Sequence, residues 1–292
     1  ISILTNITED HLNVHKTIEN YVKAKGKLFS ATKKNGYCIL NSDDLHYQEI
    51  KKISNGKIIT YGKNSNSDFI IENINIYNNK TIFTLKHKYN NYVFESPYLT
   101  SYDVYNLTAA IIATNLLGAS LNEIKSYIKE MPLVKGRFEI VKVPRSYKVI
   151  IDYAHTFNSI KSIINNVKKD IKGNLIVITG AAGGREKEKR REIGKFLLDN
   201  CSKVIFTMDD PRYESVFDIT NDLIGNSNKL NYVTIPDRMQ AIYYALEIGE
   251  KDDIIIILGK GADEYMAIFD KKLPYDEKQI INSYFLNMKS PF

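Results

Sequence analysis

The chain has 292 residues, of which 43% are hydrophobic and 25% charged, values typical of one large or two ordinary globular domains. Its net charge of +6 comes from basic residues spread along the chain, which argues against nucleic-acid binding and suits a small anionic substrate. Two distant cysteines, Cys38 and Cys201, exclude a disulfide framework and are typical of a cytoplasmic protein. The longest apolar run near the C-terminus, Ile254 to Leu258, is too short to cross a bilayer, so we expect no membrane insertion.

The first half of the chain opens on what resembles the end of a strand, Ser2 to Thr5, which indicates a chain that begins inside a domain. Helical patterns cover 9–30, 105–117 and 121–131. Between the first two, short β-type runs alternate with Asn and Gly, and they cover 37–40, 57–61, 69–76, 81–85 and 92–94. We therefore expect a first domain over 1–140 that contains a β-rich segment.

The second half alternates buried strands with amphipathic helices. Strands are predicted at 148–152, 175–179, 203–207, 232–234 and 253–258, with helices at 158–169, 187–200, 216–224 and 239–249. This alternation predicts an α/β domain over 141–292 with a Rossmann-like, doubly wound parallel sheet. In such sheets, ligands bind at the carboxyl ends of the strands.

Four polar clusters stand at those strand ends: Asp152–His155, Gly180–Arg185, Asp209–Arg212 and Gly259–Asp263. Backbone amides of a glycine-rich turn at a helix start can bind an anion, and Arg185 can clamp a carboxylate. Carboxylates and a guanidinium at one strand end can bind the ammonium and carboxylate of an amino acid. The alternatives are a tight turn at Gly180 and an Asp-Pro turn with a surface Arg212.

A further cluster lies near the N-terminus, where Asp10 and His11 precede a helix that carries Lys25. Imidazole and carboxylate are ordinary ligands of divalent metals. The alternative is a carboxylate that caps a solvated, lysine-rich helix.

These clusters together resemble the Mur ligase family, in particular the ligases that add the third residue of the peptidoglycan stem peptide. The matching motifs keep the family order, and they are Thr5–His15, Tyr21–Phe29, Asn41–Asp44, Tyr105–Ala110, Gly136–Glu139, Asp152–Thr156, Gly183–Arg190, Asp209–Arg212 and Gly259–Gly261. The resemblance implies a partial central ATPase domain followed by a Rossmann-like C-terminal ligase domain.

The resemblance also implies an activity. ATP would convert the terminal carboxylate of UDP-N-acetylmuramoyl-L-alanyl-D-glutamate into an acyl phosphate, which the amine of a diamino acid would attack. ATP and two Mg²⁺ ions are the implied cofactors, the UDP-linked dipeptide and the diamino acid are the implied partners, and no oligomer is implied. The alternatives are a non-catalytic paralogue and a related amide ligase of the folylpolyglutamate or cyanophycin synthetase type.

Residue roles follow from the same resemblance. Lys25, carbamylated, and His11 would hold Mg²⁺. The implied nucleotide-binding residues are Asn106, Arg137, Asp152, Tyr153 and His155. The residues implied around the incoming amino acid are Arg185, Asp209, Asp210, Arg212, Gly259 and Asp263.

The sequence departs from the family pattern at several positions. No G-x-x-x-x-G-K-[ST] phosphate loop occurs, so we expect it upstream of residue 1 and expect the chain alone to be inactive. Asp210 replaces the usual Asn, and Asp263 replaces a Glu. The resemblance implies that Arg212 favours the distal carboxylate of meso-diaminopimelate, whereas the acids Asp210 and Asp263 favour a distal ammonium, as in L-lysine. We expect diaminopimelate, with L-lysine as the close alternative.

Overall fold

The computed structural model describes residues 1–8, 12–169, 171–185 and 187–288. The chain divides into two compact units, Ile1–Leu133 and Val134–Phe292. Among the described residues, no helix is long and apolar enough to cross a membrane.

The first unit is built on a six-stranded sheet with the order β1-β2-β3-β4-β5-β6. Its strands are β1 (Ser2–Leu4), β2 (Tyr37–Asn41), β3 (Lys57–Gly62), β4 (Phe69–Ile76), β5 (Thr81–His87) and β6 (Asn90–Ser96). β1 to β4 pair in parallel, and β4 to β6 pair in antiparallel fashion. The β-rich segment that the sequence predicts therefore corresponds to β2 to β6 of this sheet.

The helices of the first unit are α1 (Leu12–His15), α2 (Ile18–Ser30), α3 (Tyr47–Ile53), α4 (Ser101–Leu116) and α5 (Leu121–Ile128). The helical pattern over 9–30 is interrupted, because Lys16 adopts a positive φ of 69° and the Thr17 side chain caps α2 by accepting from the Asn20 amide. α4 buries Leu107, Ile111 and Ile112 in the core of the sheet.

The second unit has a six-stranded sheet with the order β11-β10-β9-β12-β8-β7. Its strands are β7 (Glu139–Val141), β8 (Lys148–Asp152), β9 (Leu175–Thr179), β10 (Lys203–Phe206), β11 (Tyr232–Thr234) and β12 (Ile254–Leu258). All neighbours are parallel except β7 and β8. The helices are α6 (Phe157–Val167), α7 (Lys187–Asn200), α8 (Val216–Ile224), α9 (Arg238–Ile248) and α10 (Glu277–Met288).

Each face of this sheet has its own apolar core. Ile150, Val177 and Ile256 belong to one core, whereas Ile151 and Ile178 belong to the other. Neighbouring residues of a strand point to opposite faces, so a strand that is covered on both faces reads as a continuous apolar run. The doubly wound α/β architecture expected from the sequence is confirmed.

Two features differ from the expectations. β7 pairs with β8, with Glu139 opposite Ile151, so residues 134–140 pack with the second unit and the predicted boundary at 140 lies inside β7. A hairpin of β13 (Tyr265–Ile268) and β14 (Lys271–Pro274) precedes α10. All four residues of β14 are exposed, so the hairpin has no apolar alternation and the sequence does not predict it.

Candidate functional site

The four polar clusters of the second unit lie at one edge of its sheet, where β8, β9, β10 and β12 end. We call this edge the carboxyl edge. Parallel register brings the clusters together: Leu258 is level with Asp152, and Phe206 is level with Thr179. The approach is closest at Gly259, which has a φ of 111°, because a Cβ there would lie 1.9 Å from Asp209 Oδ2. Gly259 therefore lets the ends of β10 and β12 approach each other closely.

The end of β8 is anchored by the buried Asp152, whose side-chain oxygens accept from the amides of Phe138 and Ala154, both at 2.7 Å. Gly136, with a φ of 65°, lies against the Gly259–Asp263 turn, since a Cβ there would be 2.2 Å from the Gly261 carbonyl carbon. Asp152 thus fixes the loop that carries Arg137. A contact between Asp152 and a nucleotide remains a prediction.

The exposed Arg137 and His155 and the half-buried Tyr153 form a cationic and aromatic surface. The Arg137 guanidinium lies 4.6 Å from the Tyr153 ring centroid, and the His155 ring meets the same ring edge-on at 5.0 Å. His155 Nδ1 lies 2.9 Å from the Tyr153 carbonyl oxygen, which is an acceptor and so makes Nδ1 the donor. Burial raises the pKa of Tyr153, which keeps its phenol neutral. Such a surface fits the rings and the negative charge of a nucleotide.

Asp209 to Arg212, the Asp209 loop, follows β10. Asp209 is buried, and burial raises the pKa of its carboxyl group. Asp210 and Arg212 both have positive φ, 47° and 53°, which non-glycine residues adopt only when the surrounding structure holds them. The hairpin does so: the Arg212 amide donates to Ala267 O at 3.2 Å, and the Phe269 amide donates to Arg212 O at 3.0 Å. The Arg212 side chain is exposed.

Lys260 is a charged residue that is 1% exposed. Its Nζ donates to Asp210 Oδ1 at 2.9 Å and to Asp263 Oδ2 at 3.0 Å, and it lies 4.9 Å from the Tyr265 ring centroid. Burial opposes the charge, but the hydrogen bonds to both carboxylates raise the pKa of Lys260 above its ordinary value. In the sequence, Lys260 stands out only as part of a glycine-rich motif, and no pattern there places it in the site.

A buried ion pair holds the glycine-rich turn Gly180–Arg185 in place. Arg190, 1% exposed, donates to both carboxylate oxygens of Glu214, at 2.7 and 2.8 Å, and to Ala182 O at 2.9 Å. Glu214 also accepts from the Gly184 amide at 2.9 Å, and the hydrogen bonds from Arg190 hold the pKa of Glu214 well below its usual range. The turn and the Asp209 loop are joined directly, because the Gly183 amide donates to Asp210 O at 3.0 Å.

A second buried pair lies below the carboxyl edge. Arg238 Nη2 donates to Glu277 Oε1 and to Leu258 O, each at 2.6 Å, and ties the end of β12 to the start of α10. The sequence did not predict a role for Arg190, Glu214, Arg238 or Glu277. A charged residue in an amphipathic segment is usually solvated, and no local signal marks these four as buried.

In the first unit, Lys25 is exposed on α2, with Nζ 5.2 Å from the Tyr21 ring centroid, and Asn106 is exposed on α4. His11 lies outside the described residues. Within the described ranges, no group of three or more His, Cys, Asp and Glu side chains could hold a metal ion. The described donors alone do not make a magnesium centre, and we derive no step through one.

Comparison with known protein families gives two matches that together cover most of the chain. The Mur ligase middle domain matches residues 1–114, and the Mur ligase, glutamate ligase domain, matches residues 136–261. The chain is 34% identical over 286 residues to the UDP-N-acetylmuramoyl-L-alanyl-D-glutamate–2,6-diaminopimelate ligase of Bacillus cereus. It is 36% identical over 285 residues to the enzyme of the same name from Caldanaerobacter subterraneus. Each match covers 96% of this chain and 58% of the relative, so the chain spans little more than half the length of these relatives.

Solved structures give the same fold. A UDP-N-acetylmuramoyl-L-alanyl-D-glutamate–2,6-diaminopimelate ligase aligns with a TM-score of 0.62 and 27% identity, over 99% of this chain and 60% of that one. The MurF ligase of Thermotoga maritima in complex with ADP aligns with a TM-score of 0.69 and 16% identity, over 98% of this chain and 60% of that one. The second likeness concerns the fold alone.

Proposed function

Because this chain belongs to the Mur ligase family, we propose that the complete protein joins a diamino acid to UDP-N-acetylmuramoyl-L-alanyl-D-glutamate in peptidoglycan synthesis, at the expense of ATP. The favoured diamino acid is meso-diaminopimelate. The relatives named above carry this activity in their names, and the chain follows them over 96% of its own length. Its two cysteines are free and buried, which is compatible with the cytoplasm as the place of the reaction.

The proposed reaction has two steps. The terminal carboxylate of the dipeptide attacks the γ-phosphorus of ATP, which yields an acyl phosphate and ADP. The neutral amine of the diamino acid then attacks the acyl carbon, a C–N bond forms, the C–O bond to phosphate breaks, and the amine loses a proton. Both steps bring anions together, so charge neutralisation and positioning are the main tasks of the site.

The second unit would supply two binding surfaces. Arg137, Tyr153 and His155 would contact the nucleotide through cationic and stacking interactions. The amino acid would bind among Arg185, Asp209, Asp210, Arg212, Gly259 and Asp263, which belong to three loops of one sheet edge. Asn106 as an adenine contact, and two Mg²⁺ ions at His11 and a carbamylated Lys25, remain predictions from the family. Bound Mg²⁺ would neutralise phosphate charge.

The observation that carries the choice of diaminopimelate is the state of Arg212. Its backbone is fixed on both sides by the hairpin, and its side chain is exposed at the carboxyl edge. Among the described residues, no carboxylate lies within ion-pair distance of its guanidinium. An exposed guanidinium on a fixed backbone is suited to bidentate binding of a carboxylate. Diaminopimelate has a distal carboxylate, and L-lysine has none.

The test is phosphate release by the complete protein with ATP, Mg²⁺ and the UDP-linked dipeptide, with diaminopimelate or L-lysine as the second substrate. We expect release with both substrates present and a kcat/KM for diaminopimelate at least about 100-fold above that for L-lysine. Omission of the dipeptide is the control for uncoupled ATP hydrolysis. Release with neither amino acid, from a folded protein that still binds ATP, would contradict the proposal and favour a non-catalytic paralogue.

A further inference from the structure

We infer that Lys260 determines amino-acid specificity: its buried ammonium occupies Asp210 and Asp263, so the pocket accepts a zwitterionic distal group and disfavours a cationic one. This inference deepens the ligase function proposed above and rests on it.

The two acids are the groups that a substrate ammonium would otherwise use. The side chain of Asp210 is 20% exposed and that of Asp263 is 32% exposed, so both reach the surface of the carboxyl edge. From sequence alone, their negative charges favour the distal ammonium of L-lysine. The structure changes this expectation, because both carboxylates already bind an internal ammonium.

Lys260 is well placed for this role. Its stem is buried in the turn after β12, and its Nζ donates to one oxygen of each acid at 2.9 and 3.0 Å. The Tyr265 ring centroid lies 4.9 Å away and offers a third favourable contact to the cation. Asp210 Oδ1 also accepts from the Ala267 amide at 2.7 Å, which leaves that oxygen little capacity for a substrate.

The balance of charge around the Asp209 loop follows from these contacts. Among the charged residues proposed around the amino acid, together with Lys260, the acids are Asp209, Asp210 and Asp263 and the bases are Arg185, Arg212 and Lys260, so acids and bases are equal in number. The distal end of diaminopimelate carries an ammonium and a carboxylate and is neutral overall, whereas the distal end of L-lysine is a cation. A balanced pocket with a free guanidinium suits the first substrate, and a pocket with one excess negative charge suits the second.

Removal of the Lys260 charge should therefore shift specificity. In Lys260→Met, the two acids are released and the pocket gains one net negative charge. We expect the ratio of kcat/KM for diaminopimelate to that for L-lysine to fall roughly 10- to 100-fold relative to the unaltered protein. Calorimetric binding of each amino acid gives the same comparison without turnover.

Lys272→Met is the matched control. The Lys272 ammonium lies 4.1 Å from the same Tyr265 ring, but Lys272 is exposed on β14. Its loss removes an equal charge from the hairpin without releasing Asp210 or Asp263. We expect the ratio to stay within about twofold of that of the unaltered protein.

A purely structural role for Lys260 is separated from the specificity role by restoring the charge balance. The double variant Lys260→Met, Asp210→Asn has no excess negative charge, so we expect it to regain most of the preference for diaminopimelate. If Lys260→Met does not fold, as judged by circular dichroism, Asp210→Asn alone still tests the inference. In that variant Lys260 retains Asp263, the pocket gains positive charge, and the preference for diaminopimelate should be kept or increased.

The outcomes distinguish this inference from the ligase proposal. A ratio unchanged in Lys260→Met, or a shift of Asp210→Asn toward L-lysine, would overturn the role of Lys260 and leave the ligase proposal intact. A preference of the unaltered protein for L-lysine would do the same. If the unaltered protein shows no phosphate release and no calorimetric binding of either amino acid, the ligase proposal is overturned, and the inference with it.

Discussion

The candidate residues of the two units are held in very different ways. In the first unit, Lys25 and Asn106 are exposed side chains on helices whose opposite faces form the core. In the second unit, the loops of the carboxyl edge are joined by buried charges, with Arg190 bound to Glu214 and Lys260 bound to two acids. Substitutions of the candidate residues should therefore change activity without changing stability in the first unit, whereas substitutions of the buried charges in the second unit should change both.

α2 illustrates the first case. Tyr21, Val22 and Phe29 are buried in the core, and the N-cap of the helix is provided by Thr17. The Lys25 ammonium is exposed and lies 5.2 Å from the Tyr21 ring centroid, whereas the burial of Val22 and Phe29 does not depend on it, so the helix can keep its place when that side chain changes. A side chain that the fold does not need is free to be selected for binding or chemistry.

The largest effect is expected for Lys25→Ala in the complete protein. If Lys25 organises the phosphates as proposed, its loss should lower kcat roughly 1,000-fold, whereas the free energy of unfolding should change by less than about 0.5 kcal/mol. Phosphate release and urea denaturation measure the two quantities. Lys23→Ala, an exposed lysine of the same helix, should leave both unchanged.

Added short carboxylic acids should partly restore turnover in Lys25→Ala if the native group is a carbamate. Near-normal turnover in Lys25→Ala without any addition would show that the lysine has no part in the reaction. A large loss of stability in that variant would break the contrast between the two units.

A smaller effect, measured on stability, is expected for Arg190→Met. This change leaves Glu214 and Asp222 without their buried partner and frees the glycine-rich turn, so the free energy of unfolding should fall by about 3 kcal/mol. Arg191→Met is the control, since Arg191 is exposed and adjacent in sequence. Equal shifts of the urea midpoint in Arg190→Met and Arg191→Met would mean that the Arg190–Glu214 pair does not stabilise the fold more than an exposed arginine does.

The smallest effect concerns pH. The pKa of Glu214 in the folded protein is held below its ordinary value of 4.5, so the folded state binds this proton less readily than the unfolded state. The stabilisation by Glu214 is therefore present above about pH 4.5 and is lost as the pH falls through the lower, folded pKa.

Glu214→Gln should remove this part of the acid sensitivity, which is on the order of 2 kcal/mol. Urea denaturation at a series of acidic pH values should give a flatter dependence than in the unaltered protein. The exposed Glu192→Gln should retain the original slope. A slope in Glu214→Gln identical to that of the unaltered protein would contradict the assignment.

Much of the fold was predictable because its signals are local. The strand Leu175–Thr179 and the helices Lys187–Asn200 and Val216–Ile224 have the bounds that periodicity predicts. The parallel sheet followed from the alternation of such segments, and the sheet in turn placed the four polar clusters at one edge. The hairpin of β13 and β14 was not predictable, since β14 is exposed and the hairpin is fixed by backbone contacts to Arg212.

The sequence by itself determined which residue types stand at the strand ends, the order of the motifs and hence the family. Only the tertiary structure decided which of the charged side chains at the strand ends are available to a substrate and which are already paired within the protein. Lys260 and Asp210 are 50 positions apart, as their hydrogen bond shows, and no local pattern indicates that one neutralises the other. Periodicity reports on neighbours along the chain, whereas charge balance depends on burial and on distances through space, which exist only once the strands have come together.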